Sequence, residues 1–108
     1  FIEEVKLEYY RILFSDISTL NINDINSSGY VVDTLEAVFW IVLNCSSYNE
    51  SIIGAINLGG DTDTIGAITG SIAGILYGYD NISKRWISKL KNKDYIDEII
   101  IKFENTFV

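Results

Sequence analysis

Asp61, Asp63 and Thr64 place three hard oxygen donors within four residues, in the stretch Asn57-Leu58-Gly59-Gly60-Asp61-Thr62-Asp63-Thr64-Ile65-Gly66. Carboxylate and hydroxyl oxygens gathered in one turn suit Mg²⁺, Mn²⁺ or Ca²⁺, not zinc or copper. The chain has no histidine, which removes Ser-His-Asp and Cys-His catalysis. Proton transfer must therefore fall to carboxylates or to metal-activated water. Cys45 is the single cysteine, so neither an intramolecular disulfide nor a Cys-based metal site is available. Just past an apolar run, it reads as a small buried residue.

The elements that must position this turn follow from the pattern on either side. Gly59 and Gly60 permit the positive φ of a sharp reversal. Asp61 to Thr64 then supply N-cap chemistry, which predicts a helix from about Ile65 to Tyr79. Gly66, Gly70, Gly74 and Gly78 recur every fourth residue along it, in one slowly drifting row. Each interior glycine costs roughly 0.8–1 kcal/mol against alanine, so the row predicts a second helix laid closely along it.

Upstream, Ser47-Tyr48-Asn49-Glu50 matches a capping box and opens a short helix to about Leu58. A helix is predicted from about Val31 to Leu43, buried all round because Ala37 to Leu43 is apolar on every face. Asp33 and Glu36 in its first turns read as macrodipole partners. Phe1 to Phe14 reads as an amphipathic helix with Phe1, Val5, Tyr9, Ile12 and Leu13 on one face. Ser15 to Ser28, rich in Asn, Ser and Asp, is an irregular connection of a length that is often functional. Downstream, Asp80-Asn81 turns the chain and Ser83 caps Lys84 to Lys91, with Trp86, Ile87 and Leu90 inward. A last helix runs from Asp94 to about Phe107, with Ile99, Ile100, Phe103 and Phe107 as core; a strand at Ile99 to Ile101 would be isolated. Trp40 and Trp86 fall at apolar positions and read as packing. The class is all-α, an orthogonal bundle around the central glycine-rich helix, in one domain over residues 1–108.

Four bland explanations compete for the acidic turn. Capping accounts for one side chain and leaves further oxygens over, so capping and metal binding both stay open. An EF-hand fails at Ile65 and at Ile72, where its loop needs a ligand and a bidentate Glu. A P-loop would need a lysine that is absent. A membrane helix from Ile65 to Tyr79 is shorter than the about 20 residues needed to span, and Asp80 ends it.

With 108 residues, 48% hydrophobic content and a net charge of −7, the chain can build a core but offers no basic patch. Nucleic acid and anionic membrane surfaces are poor partners for it. Glu3, Glu4, Lys6 and Glu8 break any signal-peptide h-region, which predicts a cytoplasmic protein. There is no methionine even at position 1, which predicts a start inside a longer reading frame or processing.

The run Gly-Gly-Asp-Thr-Asp-Thr-Ile-Gly-Ala-Ile-x-Gly-x-Ile-Ala-Gly-x-Leu-Tyr-Gly, from Gly59 to Gly78, resembles the C-terminal signature of the ADP-ribosylglycohydrolases. The resemblance extends from Ser28-Gly29-Tyr30-Val31-Val32-Asp33-Thr34-Leu35 through Trp40 to Trp86, roughly Ser28 to Leu90. Ser83 departs from the proline common there, which touches a helix start and not the chemistry. The family's N-terminal Thr-Asp-Asp-Thr-type motif, which supplies its other metal ligands, is absent. The resemblance implies two Mg²⁺ or Mn²⁺ ions, bridged by Asp63, with Asp61 and Thr64 completing the shell of one. It implies hydrolysis at ribose C1″ of an ADP-ribosylated protein or small acceptor, with Asp61 and Asp63 as the catalytic carboxylates. Gly59 and Gly60 would let the backbone approach the sugar, and Tyr30 would line the cleft. The expected partner is the missing N-terminal half of the domain, with self-association of the exposed apolar faces as a further expectation. The competing class is a non-catalytic all-α module, since the same fold serves as a lens crystallin.

Overall fold

The computed structural model describes residues 2–107, so Phe1, expected on the first helix's apolar face, lies outside the described residues. Seven α-helices follow in order: α1 (Ile2–Glu8), α2 (Tyr10–Phe14), α3 (Val31–Asn44), α4 (Tyr48–Asn57), α5 (Thr62–Tyr77), α6 (Lys84–Ser88) and α7 (Lys93–Asn105). Short 3-10 turns lie at Ile17–Thr19, Ile22–Asp24 and Tyr79–Asn81, and the described residues contain no strand. The fold is all-α. None of these helices is long and apolar enough to cross a membrane.

The glycine-rich helix α5 packs most extensively against α4 and next against α3. Ile65, Thr69 and Ala73, four residues apart, form its buried stripe. Ile65 joins Ala37, Val38 and Ile41 of α3 and Ala55 of α4 in the hydrophobic core. Ile17 and Ile25 of the connection are also buried, so the isolated isoleucines of that polar segment are anchors. Trp40 leans on this core and donates its indole N–H to the Leu20 carbonyl at 2.9 Å.

The glycine row works over half its length. A β-carbon at Gly70 would lie 3.2 Å from the Tyr48 hydroxyl and 3.3 Å from Ile52 Cδ1 of α4, and at Gly74 4.0 Å from Tyr48 Cε2. Gly66 meets nothing within 4 Å, and Gly78 ends the helix with φ 81°. Gly70→Leu therefore trades a helix-propensity gain of about 1 kcal/mol for overpacking of about 1–3 kcal/mol. A net loss of about 1 kcal/mol in urea unfolding is expected; an unchanged midpoint would show that α4 does not lie against Gly70. Thr69 is fully buried with a hydroxyl that has no hydrogen-bond partner. An unmade buried hydrogen bond costs about 1–3 kcal/mol, so the near-isosteric Thr69→Val is expected to raise the melting temperature.

Several sequence expectations need correction. The first helix breaks at Tyr9 (φ −98°, ψ 16°), although Tyr9 N–H still donates to Val5 O and Leu13 N–H to Tyr9 O, and Val5 and Leu13 stay exposed. Helix α3 is not buried all round, because Phe39 and Leu43 remain exposed. Glu36 is more than a dipole partner: it is 7% exposed and pairs with Arg11 at 3.4 Å, while Arg11 also donates to the Asp24 carbonyl. The capping box at Ser47 is shifted. Glu50 N–H donates to Ser47 Oγ, but the Glu50 carboxylate accepts from Ser46 N–H and Oγ, one residue earlier. Those bonds hold the Glu50 carboxyl below its ordinary pKa.

Ser83 sits at the start of α6 without a side-chain cap, and its own N–H donates to Asn49 Oδ1 at 3.2 Å. Helix α6 stops at Ser88, short of Lys91, and leaves Leu90 exposed. The largest correction concerns α7. It is a helix across Ile99–Ile101, not a strand, but Ile99, Ile100, Phe103 and Phe107 are all exposed, Phe107 by 74%. Only Lys93, Ile96 and Asp97 of α7 are even half-buried. Its apolar stripe is real and uncovered.

That exposure has a global measure. The accessible surface is 7722 Å² for 12.2 kDa, against about 6,100 Å² for a monomer of this mass. The radius of gyration is 16.0 Å, where about 13 Å is usual for this length. The excess is of the order buried in a large protein interface.

Candidate functional site

Helix α4 ends at Asn57, and the chain reverses through Leu58, Gly59 and Gly60 before α5 begins at Thr62. Gly59 and Gly60 both adopt the left-handed conformation, with φ 76° and 66°. A β-carbon on Gly59 would meet nothing within 4 Å, whereas on Gly60 it would lie 2.2 Å from the Ser27 carbonyl oxygen. The reason for that closeness is a clamp. Asp61 N–H donates to Ser27 O at 2.8 Å, and Ser27 Oγ donates to Leu58 O at 3.3 Å. The end of the long connection is thus stitched to the turn that opens α5.

Asp61 occupies the N-cap position of α5, yet its side chain makes no capping hydrogen bond. The expectation that it caps the helix is therefore not met, and its carboxyl is left for other work. That carboxyl lies against Gly29 and within hydrogen-bonding reach of Asp63. The Asp63 carboxyl is held below its ordinary pKa, first by Asp61 and then by the N–H groups of Thr64 and of Asp63 itself. No Lys or Arg among the described residues lies within ion-pairing distance of either. Thr64 follows in the same first turn, exposed. Two neighbouring carboxylates without an ion-pair partner, with Thr64 in the same turn, are donors of the kind a hard divalent cation takes, and no third Asp, Glu, His or Cys among the described residues joins them. A soft metal would find no sulfur or imidazole here.

The structure does not bring all the expected residues to one point. Asp61 and Asp63 are together, and Gly59 and Gly60 form the turn behind them. Tyr30 follows Gly29 with its ring half exposed, but its hydroxyl donates to Glu8 Oε2 of α1 at 3.1 Å. That bond to a carboxylate raises the phenol pKa, so Tyr30 stays a neutral donor. Cys45 is half-buried, and desolvation pushes its thiol pKa up, which suits packing and not nucleophilic attack.

Sequence reasoning missed the residues that hold the turn from the other side. Ser28 Oγ donates to Asp33 Oδ2 at 2.5 Å and accepts from Tyr30 N–H at 3.1 Å, and Ser28 O accepts from Thr34 Oγ1 at 3.2 Å. A Ser-Ser-Gly run just before a helix is the signal that could have found them. Two surface clefts lie elsewhere. One is lined by Val5, Tyr9, Ile12, Leu13 and Leu35; another by Tyr48, Ile52, Trp86, Ile87, Ile96 and Ile100. At the acidic turn Asp63 and Thr64 are exposed and Asp61 is half-buried.

A family profile described as ADP-ribosylglycohydrolase matches residues 5–107, almost the whole chain. The chain belongs to the ADP-ribosylglycohydrolase family. Among its relatives, the ADP-ribosylarginine hydrolase Tri1 of Serratia proteamaculans is 49% identical over 77 residues, covering 71% of this chain and 21% of that protein. The ADP-ribosyl-(dinitrogen reductase) glycohydrolase of Rhodospirillum rubrum is 42% identical over 67 residues, covering 62% of this chain and 23% of that protein. The ADP-ribosylhydrolase ARH3 of Homo sapiens is 34% identical over 62 residues, covering 57% and 17%. The chain spans about a fifth of the length of the curated relatives it matches.

Proposed function

We propose that this chain is the C-terminal part of a Mg²⁺- or Mn²⁺-dependent hydrolase that removes ADP-ribose from a modified protein side chain by hydrolysis at ribose C1″. Arginine is the acceptor favoured by the similarity to an ADP-ribosylarginine hydrolase. The observation that carries the reading is the Asp61 carboxyl. It stands at a helix N-cap without capping, beside Asp63 and without a countercharge. Asp61, Asp63 and Thr64 would hold the metal, with Asp63 placed to be shared between two ions. The bound metal would supply Lewis acidity and a docking point for ribose hydroxyls. The chain's own residues do the rest. The bonds that join Ser27 to Asp61 and Leu58 fix the turn that carries the carboxylates, and a β-carbon on Gly59 would meet nothing within 4 Å. Tyr30 presents a half-exposed ring for stacking against the substrate.

The partner is the remainder of the family domain. The exposed stripe of α7 and the excess of accessible surface support it, because monomers rarely leave large contiguous apolar surface in water. The test is a melting curve of the intact reading frame with and without Mg²⁺ or Mn²⁺, alongside hydrolysis of ADP-ribosylated arginine peptides. Metal at about 100 times its Kd stabilises by about 2.7 kcal/mol. A protein that ignored both metals and released no ADP-ribose would be a packing module of the same fold.

A further inference from the structure

Gly29 has no conformational reason to be glycine. The positive-φ residues among those described are Gly59, Gly60, Gly78 and Asn92, so the backbone at Gly29 is one any residue adopts. Gly29 is also exposed, so no core packing excludes a methyl group. What excludes it is one side chain. A β-carbon there would stand 3.1 Å from Asp61 Oδ2 and 3.9 Å from Asp61 Cγ. Non-bonded carbon contacts are comfortable at about 3.5–4.0 Å, so an added methyl displaces one of the two by a few tenths of an ångström.

Which partner yields is decided by the hydrogen bonds around them. On one side of Gly29, Ser28 is held by Thr34 Oγ1 at its carbonyl and by Asp33 and the Tyr30 N–H at its hydroxyl. One residue further back, Ser27 O accepts the Asp61 N–H. The backbone on both sides of the contact is therefore pinned, while the Asp61 carboxylate is not held by a cap. The carboxylate moves.

We propose that Gly29 is a positioning residue for the metal-binding carboxylate of Asp61: its missing side chain sets how far that carboxylate reaches toward Asp63. The inference rests on the metal reading above for its function, but the contact itself does not. Losing a residue that orients a metal-ligating side chain typically weakens metal affinity about 10–100-fold.

The test uses the intact protein and Gly29→Ala, with Gly29→Ser repeating the same β-carbon if the first variant fails to fold. In the metal-free protein the ¹³C carboxyl resonance of Asp61 is expected to shift, with an unchanged melting temperature. Mn²⁺ affinity, read by electron paramagnetic resonance, is expected to fall about 10-fold. An unmoved Asp61 resonance would overturn the positioning role, and so would an unchanged Mn²⁺ affinity in the variant. If the wild-type protein itself bound no Mn²⁺, the metal reading would fail. The Asp61 resonance would then decide the positioning role alone.

Discussion

Gly60→Ala is expected to destabilise the protein by about 2–4 kcal/mol, while Gly59→Ala costs about 1–2 kcal/mol. The two glycines are neighbours and share the left-handed conformation, so the backbone penalty for an L-residue is about the same at each, 1–2 kcal/mol. They differ in space. The methyl of Gly59→Ala meets nothing within 4 Å, whereas that of Gly60→Ala would fall 2.2 Å from the Ser27 carbonyl oxygen. To relieve that clash the connection must withdraw from the turn. Withdrawal breaks the bond from Asp61 N–H to Ser27 O, worth about 0.5–1.5 kcal/mol. Urea unfolding of the two variants at equal m-value measures the difference. Equal losses would mean that conformation alone, and not the Ser27 clamp, requires glycine at position 60.

The helices were legible because their signals are local. Val31–Asn44 follows from an apolar run bounded by Gly29 and by the polar Asn44 to Ser47, and Tyr48–Asn57 from Ser47 in front and Gly59 behind. The same signals say nothing about what lies on the far side of a helix. Ile99, Ile100, Phe103 and Phe107 have the spacing of a core stripe, but they are exposed, and no described residue covers them. Periodicity reports that a face is apolar, not that it is covered. Phe39 and Leu43 on α3 fail for the same reason. Conversely, Glu36 is buried because Arg11, twenty-five positions earlier, reaches it, and no window of local sequence contains both.

The candidate site was legible on one wall only. Asp61, Asp63 and Thr64 stand out because hard donors cluster in sequence, and the glycines before them announce the turn. The opposite wall, Ser27 to Gly29, is about thirty residues away and carries no chemistry of its own. Its contribution is backbone: a carbonyl for Asp61 N–H and an absent methyl beside the carboxylate. Such roles leave no residue-type signature beyond small size, and only the folded arrangement reveals them.

Under the proposed function, the lone chain is expected to show no measurable hydrolysis of ADP-ribosylated arginine peptides in Mg²⁺, and mixing it with the preceding part of its reading frame is expected to restore turnover. The argument is one of charge and of walls. Two dications carry four positive charges, and Asp61 and Asp63 offset two. The remaining ligands on the lone chain would have to be water, and Mg²⁺ bound largely through its own hydration shell leaves easily. Nor does the chain enclose a substrate at the acidic turn, where Asp63 and Thr64 are exposed. Without a second wall the orientation that brings ribose C1″ to the reacting position is lost, and orientation can account for about 7–11 kcal/mol of a barrier. The lone chain should also self-associate through the α7 stripe, and gel filtration should show the mixture as a smaller, discrete complex. Asp63→Asn removes the shared charge while keeping nearly the same shape, so it is expected to abolish the restored turnover without preventing complex formation. Turnover by the lone chain at the rate of the mixture would sink the half-site argument, and an active Asp63→Asn mixture would remove Asp63 from the metal shell.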